Sequence, residues 1–222
     1  MLLHSTGLKK LYAVLTGDLV GSSNVDYKVR LKALDAGNLQ RTSLGGKVVL
    51  FNVFRGDSFQ SVLSSPEKGL VAAVVVRAIL KSENWGGMHL DARIAVGIGS
   101  VDYLPKKNTG MGDGEAFQNS GRLLDRLKGK GRMLGVSTPW EGINEELEVE
   151  VALLDDIVRG WSPSKAETAL HWLVEKSQKV IAKSLGISQP SVSKRLAAAK
   201  MDSVEIILKR YEQLLEKRVD SA

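Results

Sequence analysis

The chain has 222 residues, a formal net charge of +6 and no cysteine, and 43% of its residues are hydrophobic and 25% charged. This composition is typical of a soluble globular protein, and the length suits one large domain or a domain with a small module. The lack of cysteine excludes disulfides, thiolate nucleophiles and cysteine-bound zinc, and three scattered histidines disfavour a histidine-rich metal site. Any bound metal is expected to have carboxylate ligands, which favours Mg²⁺ or Mn²⁺.

The sequence also lacks the patterns of membrane insertion and export. No apolar run approaches the 18 or so residues of a membrane span. The opening residues, MLLHSTGLKK, lack the charged start, apolar centre and cleavage site of a signal peptide. We therefore expect a cytoplasmic protein with no membrane partner.

Hydrophobic periodicity and turn residues predict an α+β region in the first part of the chain. The predicted elements are a strand at 12–16, a turn at Gly17-Asp18, a helix at 26–44 ended by Gly45-Gly46, a hairpin of strands 47–53 and 58–63, a helix at 69–81, a strand at 91–100, a helix at 115–127, and strands at 133–137 and 147–154. This order predicts helices packed against one mainly antiparallel sheet.

The pattern changes at Gly160-Trp161-Ser162-Pro163-Ser164, after which the chain reads as helical and basic. We therefore predict one domain at 1–160 and a second, all-helical domain at 161–222. Between Lys176 and Lys200 there are six basic residues and no acidic one. Such an excess favours a polyanion partner, although a charge run on its own is more often a solvated surface.

The segment QKVIAKSLGISQPSVSKRLAAA, residues 178–199, has the spacing of a helix-turn-helix. Ala182 is a small residue where the helices cross, Gly186 allows the turn, and Val192 anchors the second helix; further apolar support comes from Ile181, Leu185, Ile187 and Leu196. Ser188 is expected to cap the second helix and Pro190 to occupy its first turn. The residues predicted to contact double-stranded DNA are Ser188, Gln189, Ser191, Ser193, Lys194 and Arg195.

Two alternatives remain open in this second region. The two helices of segment 178–199 could instead form an amphipathic helical hairpin that packs on the first domain. The last helix, predicted at 202–219, has an apolar stripe that covers either the motif's own core or a second copy of the chain. A homodimer is expected if the DNA site is palindromic.

Two aspartates in the first domain are candidate metal ligands. Asp18 follows the first strand and Asp57 lies at the turn of the hairpin, so the two carboxylates converge if these strands are neighbours. Converging carboxylates need a cation or a proton to offset their repulsion, and Gly17 and Gly56 would let the backbone approach a ligand. The alternative is that both aspartates only stabilise turns.

Four segments resemble, in order and spacing, the core motifs of class III nucleotidyl cyclases: LYAVLTGDLVGSS, GGKVVLFNVFRGDSFQSV, LDARIAVGIGSV and GEAFQNSGRLLD. The resemblance covers roughly residues 11–137, and with the C-terminal helix-turn-helix the whole chain is most similar to the SatD family. This resemblance implies a ferredoxin-like βαββαβ core, metal-binding roles for Asp18 and Asp57, and a triphosphate contact for Arg122. The implied ligand-binding residues are Gly17, Ser22, Ser23, Arg55 and Gly56.

The chain departs from the cyclase pattern at three positions. Gln118 replaces the asparagine one turn before Arg122, Val53 replaces a purine-reading lysine, and Met111 replaces a purine-reading aspartate. Metal and phosphate chemistry would survive these changes, whereas the usual base recognition is missing. Arg122 also reads as a surface arginine beside Asp125.

Three functions follow. The first and preferred one is a DNA-binding regulator whose first domain senses a nucleotide or phosphate ligand. The second is an active metal-dependent nucleotidyl cyclase or phosphoryl-transfer enzyme, in which Asp18 and Asp57 hold the metal. In this enzyme Arg122 and Gln118, supplied by the other subunit, neutralise the charge that develops on the phosphates. The third is a DNA-binding protein whose first domain only dimerises.

Overall fold

The computed structural model describes residues 10–38, 48–54, 56–105, 111–175 and 177–219. The strands are β1 (Leu11–Val20), β2 (Val48–Phe54), β3 (Ser58–Leu63), β4 (Asp91–Ser100) and β5 (Leu134–Ser137). The helices are α1 (Tyr27–Ala36), α2 (Gly69–Ser82), α3 (Glu115–Lys130), α4 (Glu141–Arg159), α5 (Pro163–Glu175), α6 (Gln178–Leu185), α7 (Gln189–Ala198) and α8 (Met201–Val219). None of the helices in these ranges is long and apolar enough to cross a membrane.

The five strands form one mixed sheet in the order β2-β3-β1-β4-β5. Strand β1 is antiparallel to both of its neighbours, β3 and β4, and β2 is antiparallel to β3. Strand β5 is parallel to β4. The α+β prediction is confirmed, and the mainly antiparallel sheet is correct for every pair except the last.

Helices cover both faces of the sheet because the side chains of β1 alternate between two apolar clusters. Ala13 and Leu15 belong to the large core that also contains the buried residues of α2. Val14, between them, packs with Val62 and with the first turn of α3. The sheet therefore has α1 and α2 on one side and α3 on the other.

Two glycines in β4 allow α3 to lie directly against the strand. A Cβ atom at Gly97 would stand 2.3 Å from the Ala116 carbonyl oxygen and 2.3 Å from the Ser120 backbone nitrogen. A Cβ at Gly99 would stand 2.8 Å from the Ala116 backbone nitrogen. Since no side chain fits at these distances, the glycines set the position of α3.

Three predicted elements are wrong in detail. Gly17-Asp18 is not a turn, because β1 continues to Val20 and pairs there with β4. The predicted strand at 147–154 is part of α4, whose buried residues Ile143, Leu147, Val151, Leu154 and Val158 recur at helical spacing. Helix α1 ends at Ala36, capped by Gly37, while the predicted end at 45–46 lies outside the described residues.

A fully buried arginine joins α2 to β4 and α4. The Arg77 guanidinium donates to both carboxylate oxygens of Asp91, each at 2.8 Å, and to Asp155 Oδ1 at 2.7 Å. Asp155 Oδ2 accepts from the Met133 backbone N–H at 2.9 Å and from Arg159 at 2.9 Å. Every charge of the network thus has a partner, which a buried ion cluster requires.

The helical region α4–α8 packs on the sheet through the same apolar cluster, which runs from Ala13 to Leu215. The buried Tyr211 hydroxyl of α8 donates to the Pro66 carbonyl at 2.8 Å. The Trp161 indole N–H donates to the Ala199 carbonyl at the end of α7, at 2.9 Å. The predicted all-helical end of the chain is confirmed, although its helices begin at α4 instead of after residue 160.

Candidate nucleic-acid interface and the predicted metal site

Helix α7 has the cap that the sequence predicts, and α6 has a cap of the same kind that was not predicted. Ser177 accepts a hydrogen bond from the Val180 N–H and so caps α6. Gly186 ends α6 with φ of 63°, a left-handed conformation that favours glycine. Ser188 accepts from the Ser191 N–H at 3.3 Å and caps α7, with Pro190 in the first turn. The turn is therefore built from the residue types that such a turn needs.

The inner sides of α6 and α7 are apolar and rest on α5. Ile181 and Val192 are completely buried, and Leu196 is nearly so. Ala182, Leu185 and Ile187 are partly buried against the same core. Helix α5 contacts both α6 and α7, so the three helices form one compact unit.

The outer side of α7 is polar and accessible. Gln189, Ser193 and Lys194 are exposed, as is the capping residue Ser188. Ser191 is half-buried, and its hydroxyl lies 2.8 Å from that of Ser188. The polar residues at the start and on the outer face of α7 are therefore placed to reach a ligand outside the protein.

Arg195 differs from the other predicted DNA contacts because it already has an acidic partner. Its guanidinium lies 3.5 Å from the Glu167 carboxylate of α5, and its side chain is about a third exposed. Arg195 thus adds a partly exposed ion pair to the contact between α7 and α5. Lys194, Lys179 and Lys183 carry the accessible positive charge of the α6–α7 surface.

In the first region, Asp18 lies between two cations. Its register partners are Ser58 on β3 and Arg93 on β4. Asp18 Oδ1 is 3.3 Å from Arg93, and Asp18 Oδ2 is 3.0 Å from Lys128 of α3. Since each oxygen has a basic partner, the charge of this half-buried carboxylate is balanced by the protein itself.

Asp57 reaches the same end of β1 but is bound differently. Its backbone carbonyl accepts from the Leu19 N–H at 2.8 Å, and its carboxylate accepts from the Ser58 hydroxyl at 3.1 Å. The strands β1 and β3 are neighbours, and Asp57 lies one residue before Ser58, the register partner of Asp18. Within the described ranges, however, we find no group of three acidic or histidine side chains that could hold a metal.

The glycines beside these aspartates have packing roles. A Cβ at Gly17 would lie 2.6 Å from the Phe59 ring, so glycine is needed for this close contact. Gly56 has φ of 77°, which the turn between β2 and β3 requires, and a Cβ there would meet the Tyr27 ring at 2.7 Å.

The other predicted ligand contacts differ in accessibility. Ser22 is buried, with its hydroxyl 3.5 Å from the Leu19 carbonyl, and Ser23 is exposed. Arg55 lies outside the described residues.

Gln118 and Arg122 lie together on the exposed side of α3. The Arg122 guanidinium donates to Gln118 Oε1 at 3.4 Å, one helical turn away. No hydrogen bond or ion pair joins either residue to Asp18 or Asp57 within the described part of the chain. Among the described residues of one copy, no bond therefore joins the two predicted pairs.

A polar row on the α3 side of the sheet was not predicted. The Thr16 hydroxyl lies 2.8 Å from that of Ser120 and accepts from Gln60 Nε2 at 3.0 Å. The second amide atom, Gln60 Oε1, is buried without a hydrogen-bond partner among the described residues. Alternation along β1 places Thr16 on the same face as Asp18, but the sequence does not show which strands bring Gln60 and Arg93 beside them.

A cleft of about 350 Å³ lies between α3, β5 and α4, and Asp18 is not among its lining residues. Its walls carry opposite charges, with Arg126 and Lys130 on α3 and Glu141 and Glu145 on α4. These charges balance, so the cleft has no preference for an anion.

Comparisons with protein families, with curated proteins and with solved structures found no match to this chain.

Proposed function

We propose that the protein is a DNA-binding transcriptional regulator in which α7 enters the major groove. The observation that carries this proposal is the three-helix unit α5–α7, whose turn, caps and buried residues support a recognition helix with a polar outer face. The basic excess between Lys176 and Lys200 supports the same partner.

The exposed residues divide into two groups by the contacts they would make. Gln189 and Ser193 have amide and hydroxyl groups that read base edges, and Gln189 stands in the first turn of α7, which enters deepest into the groove. Lys179, Lys183 and Lys194 would bind phosphates and provide affinity without sequence information. Arg195 would act mainly by holding α7 against Glu167.

For the first region we propose a sensor of a nucleotide or related phosphate ligand. The strand order β2-β3-β1-β4, with β1 and β2 separated by β3, is that of a split βαβ core and supports the resemblance to class III nucleotidyl cyclases and to the SatD family. Arg93 and Lys128 add positive charge beside Asp18, and this charge would attract a phosphate group.

The enzyme alternative is less well supported. A Mg²⁺ or Mn²⁺ ion held by Asp18 and Asp57 would have to displace Arg93 and Lys128 from Asp18, and Gln118 and Arg122 would have to come from a second copy. Incubation with the four nucleoside triphosphates and either metal, followed by chromatography, distinguishes the two functions. A product that disappears in Asp57→Ala would show an enzyme, and intact triphosphates would favour the sensor.

The DNA-binding proposal is tested by titrating fluorescent duplex DNA with the full-length protein at several salt concentrations. We expect Lys194→Ala to weaken binding to all sequences and to lower the slope of log affinity against log salt by about one, since one phosphate contact is lost. Gln189→Ala should instead reduce discrimination between sequences selected from a random pool.

Lys32→Ala is the matched control, because Lys32 is an exposed lysine on α1, outside the motif. It should leave affinity and salt slope unchanged. Absence of DNA binding at low salt, or equal effects of Lys32→Ala and Lys194→Ala, would contradict the assignment of α7.

A further inference from the structure

Strand β5 is an edge of the sheet, and β4 is its only neighbour among the described strands. The Ile94 N–H donates to the Met133 carbonyl at 2.8 Å, so residues 133, 135 and 137 direct their backbone groups toward β4. The backbone N–H and C=O groups of Leu134 and Val136 therefore point away from β4. At these two positions the sheet can accept the backbone of another strand.

The next outward-facing position, Thr138, already has the partners that a strand would supply. Its N–H donates to Asn144 Oδ1 at 2.7 Å, and Asn144 Nδ2 donates to its carbonyl oxygen at 2.9 Å. Edge strands in other proteins are protected by charged side chains, proline or bulges. Strand β5, LGVS, has no charged residue and no proline, and its register with β4 is regular. The edge is thus blocked at its end but open at Leu134 and Val136.

The open edge lies in the cleft of about 350 Å³ between α3 and α4. Leu134 and Val136 line this cleft together with Leu127 of α3 and Val151 of α4. A chain that extends the sheet beyond β5 would therefore have a helix on each side and could bury apolar groups against both. The volume is close to the lower limit of ligand clefts, about 300 Å³, and suits a segment of a few residues.

The two walls of the cleft carry charges of opposite sign. Lys130 of α3 and Glu148 of α4 pair with each other at 3.6 Å. Arg126 of α3 and Glu141 and Glu145 of α4 are exposed, and none of them has an ion pair within the described part of the chain. Since neighbouring residues of a strand face opposite sides of a sheet, a strand in the cleft directs one side chain toward α3 and the next toward α4. An acidic residue beside a basic residue complements both walls.

We propose that the open edge of β5 binds an extended segment of a partner protein, in which an acidic residue faces Arg126 and the neighbouring basic residue faces Glu141 and Glu145. The segment adds a further strand to the sheet. Hydrogen bonds to the backbone of Leu134 and Val136 provide affinity, and the charges of the walls select the side chains. The site does not include α7, so it goes beyond the proposed DNA binding and does not rest on it.

Fluorescence anisotropy with a short labelled peptide of alternating glutamate and lysine tests the choice of side chains. The full-length protein should bind this peptide saturably at low salt. Arg126→Glu should weaken the binding by about tenfold, because attraction for the acidic residue becomes repulsion. Lys32→Glu is the matched control, since it makes the same change of charge on α1, outside the cleft, and should leave the affinity unchanged.

Three further measurements test the backbone hydrogen bonds. The same peptide with methylated backbone nitrogens keeps its charges but cannot donate, and it should not bind. Hydrogen exchange of the Val136 amide, followed by NMR in the unsubstituted protein, should slow when the unmethylated peptide is bound. Val136→Pro removes the N–H that faces the open edge, at a position where edge strands accept proline, and should abolish binding while far-UV circular dichroism stays unchanged.

The proposal would be overturned by absence of saturable binding, by equal binding of the methylated peptide, or by equal effects of Arg126→Glu and Lys32→Glu. Slower exchange at Val136 that depends on protein concentration without any peptide would also overturn it, because the edge would then pair with a second copy. These results can be separated from the outcome for DNA. Peptide binding by a protein that does not bind DNA would support this site and refute the proposed function, and DNA binding without peptide binding would do the reverse.

Discussion

The Arg77 side chain shows how a single buried residue joins distant parts of the chain. Burial lowers the pKa of its guanidinium, but the hydrogen bonds and charges of Asp91 and Asp155 outweigh this effect and raise the pKa above its ordinary value. A base with a raised pKa in the folded state stabilises the fold at every pH below the unfolded-state value and loses this contribution only as pH rises through the folded one. The contribution of Arg77 should therefore be constant across the neutral range.

Arg77→Met should lower the free energy of unfolding by about 3 kcal/mol, because the apolar side chain leaves Asp91 and Asp155 without their main partner. Arg159→Met removes the exposed arginine of the same network and should cost less than about 1 kcal/mol. Urea unfolding of both variants at neutral pH measures the difference. Similar losses for the two would mean that the buried guanidinium is not the centre of the network.

Residues that act through local sequence were predictable, and those that act through long-range pairing were not. Gly186 and Ser188 were identified because a turn and a cap depend on the next few residues. Arg93 and Lys128 were missed because their partner, Asp18, is 75 or more positions away. The sequence placed Asp18 in a turn after the first strand, whereas Asp18 lies within β1, and it did not show that two cations already bind this carboxylate.

The strands and helices were predicted well where the hydrophobic residues follow a single spacing, either that of a strand or that of a helix. Strand β4 was predicted with its observed bounds, since DARIAVGIGS is short and bounded by turns. Helix α4 was misread over 147–154 because VEVALL alternates locally, whereas its buried residues follow a helical period over the longer range from Ile143 to Val158. A short window could not distinguish the two patterns.

The packing of α3 on β4 leads to opposite effects for two glycine substitutions. Gly97→Ala should destabilise the protein by about 1–3 kcal/mol, because the added Cβ would overlap the backbone of α3. Gly121→Ala, within α3 itself, meets nothing within 4 Å and should stabilise the helix by about 0.5–1 kcal/mol. Thermal unfolding of both variants shows whether each substitution raises or lowers the stability of the protein. A stable Gly97→Ala protein would show that α3 can move away from the sheet.

At the scale of the whole molecule, the sheet and the helical region share one hydrophobic core and are also linked by polar contacts. One apolar cluster spans them, and the hydrogen bond from Tyr211 to Pro66 and the ion pair between Lys68 and Glu212 reinforce the contact. Because α2 and α5 share this core, the predicted boundary at residue 160 does not separate two independent hydrophobic interiors.

We therefore expect the full chain to unfold in one step. Far-UV circular dichroism and tryptophan fluorescence should give coincident urea transitions, since buried tryptophans lie in both regions, at Trp85 and Trp161. Two separate transitions would instead indicate that the helical region and the sheet are independent units.

The hydrogen bond between Trp161 and the end of α7 has a practical consequence. The indole is buried and its N–H contacts Ala199, the residue that follows the helix proposed to enter DNA. Indole emission depends on local polarity and hydrogen bonding, so any displacement of α7 alters the light that this residue emits. With phenylalanine at the other three tryptophan positions, Trp85, Trp140 and Trp172, the protein would become its own optical reporter of how its recognition helix moves.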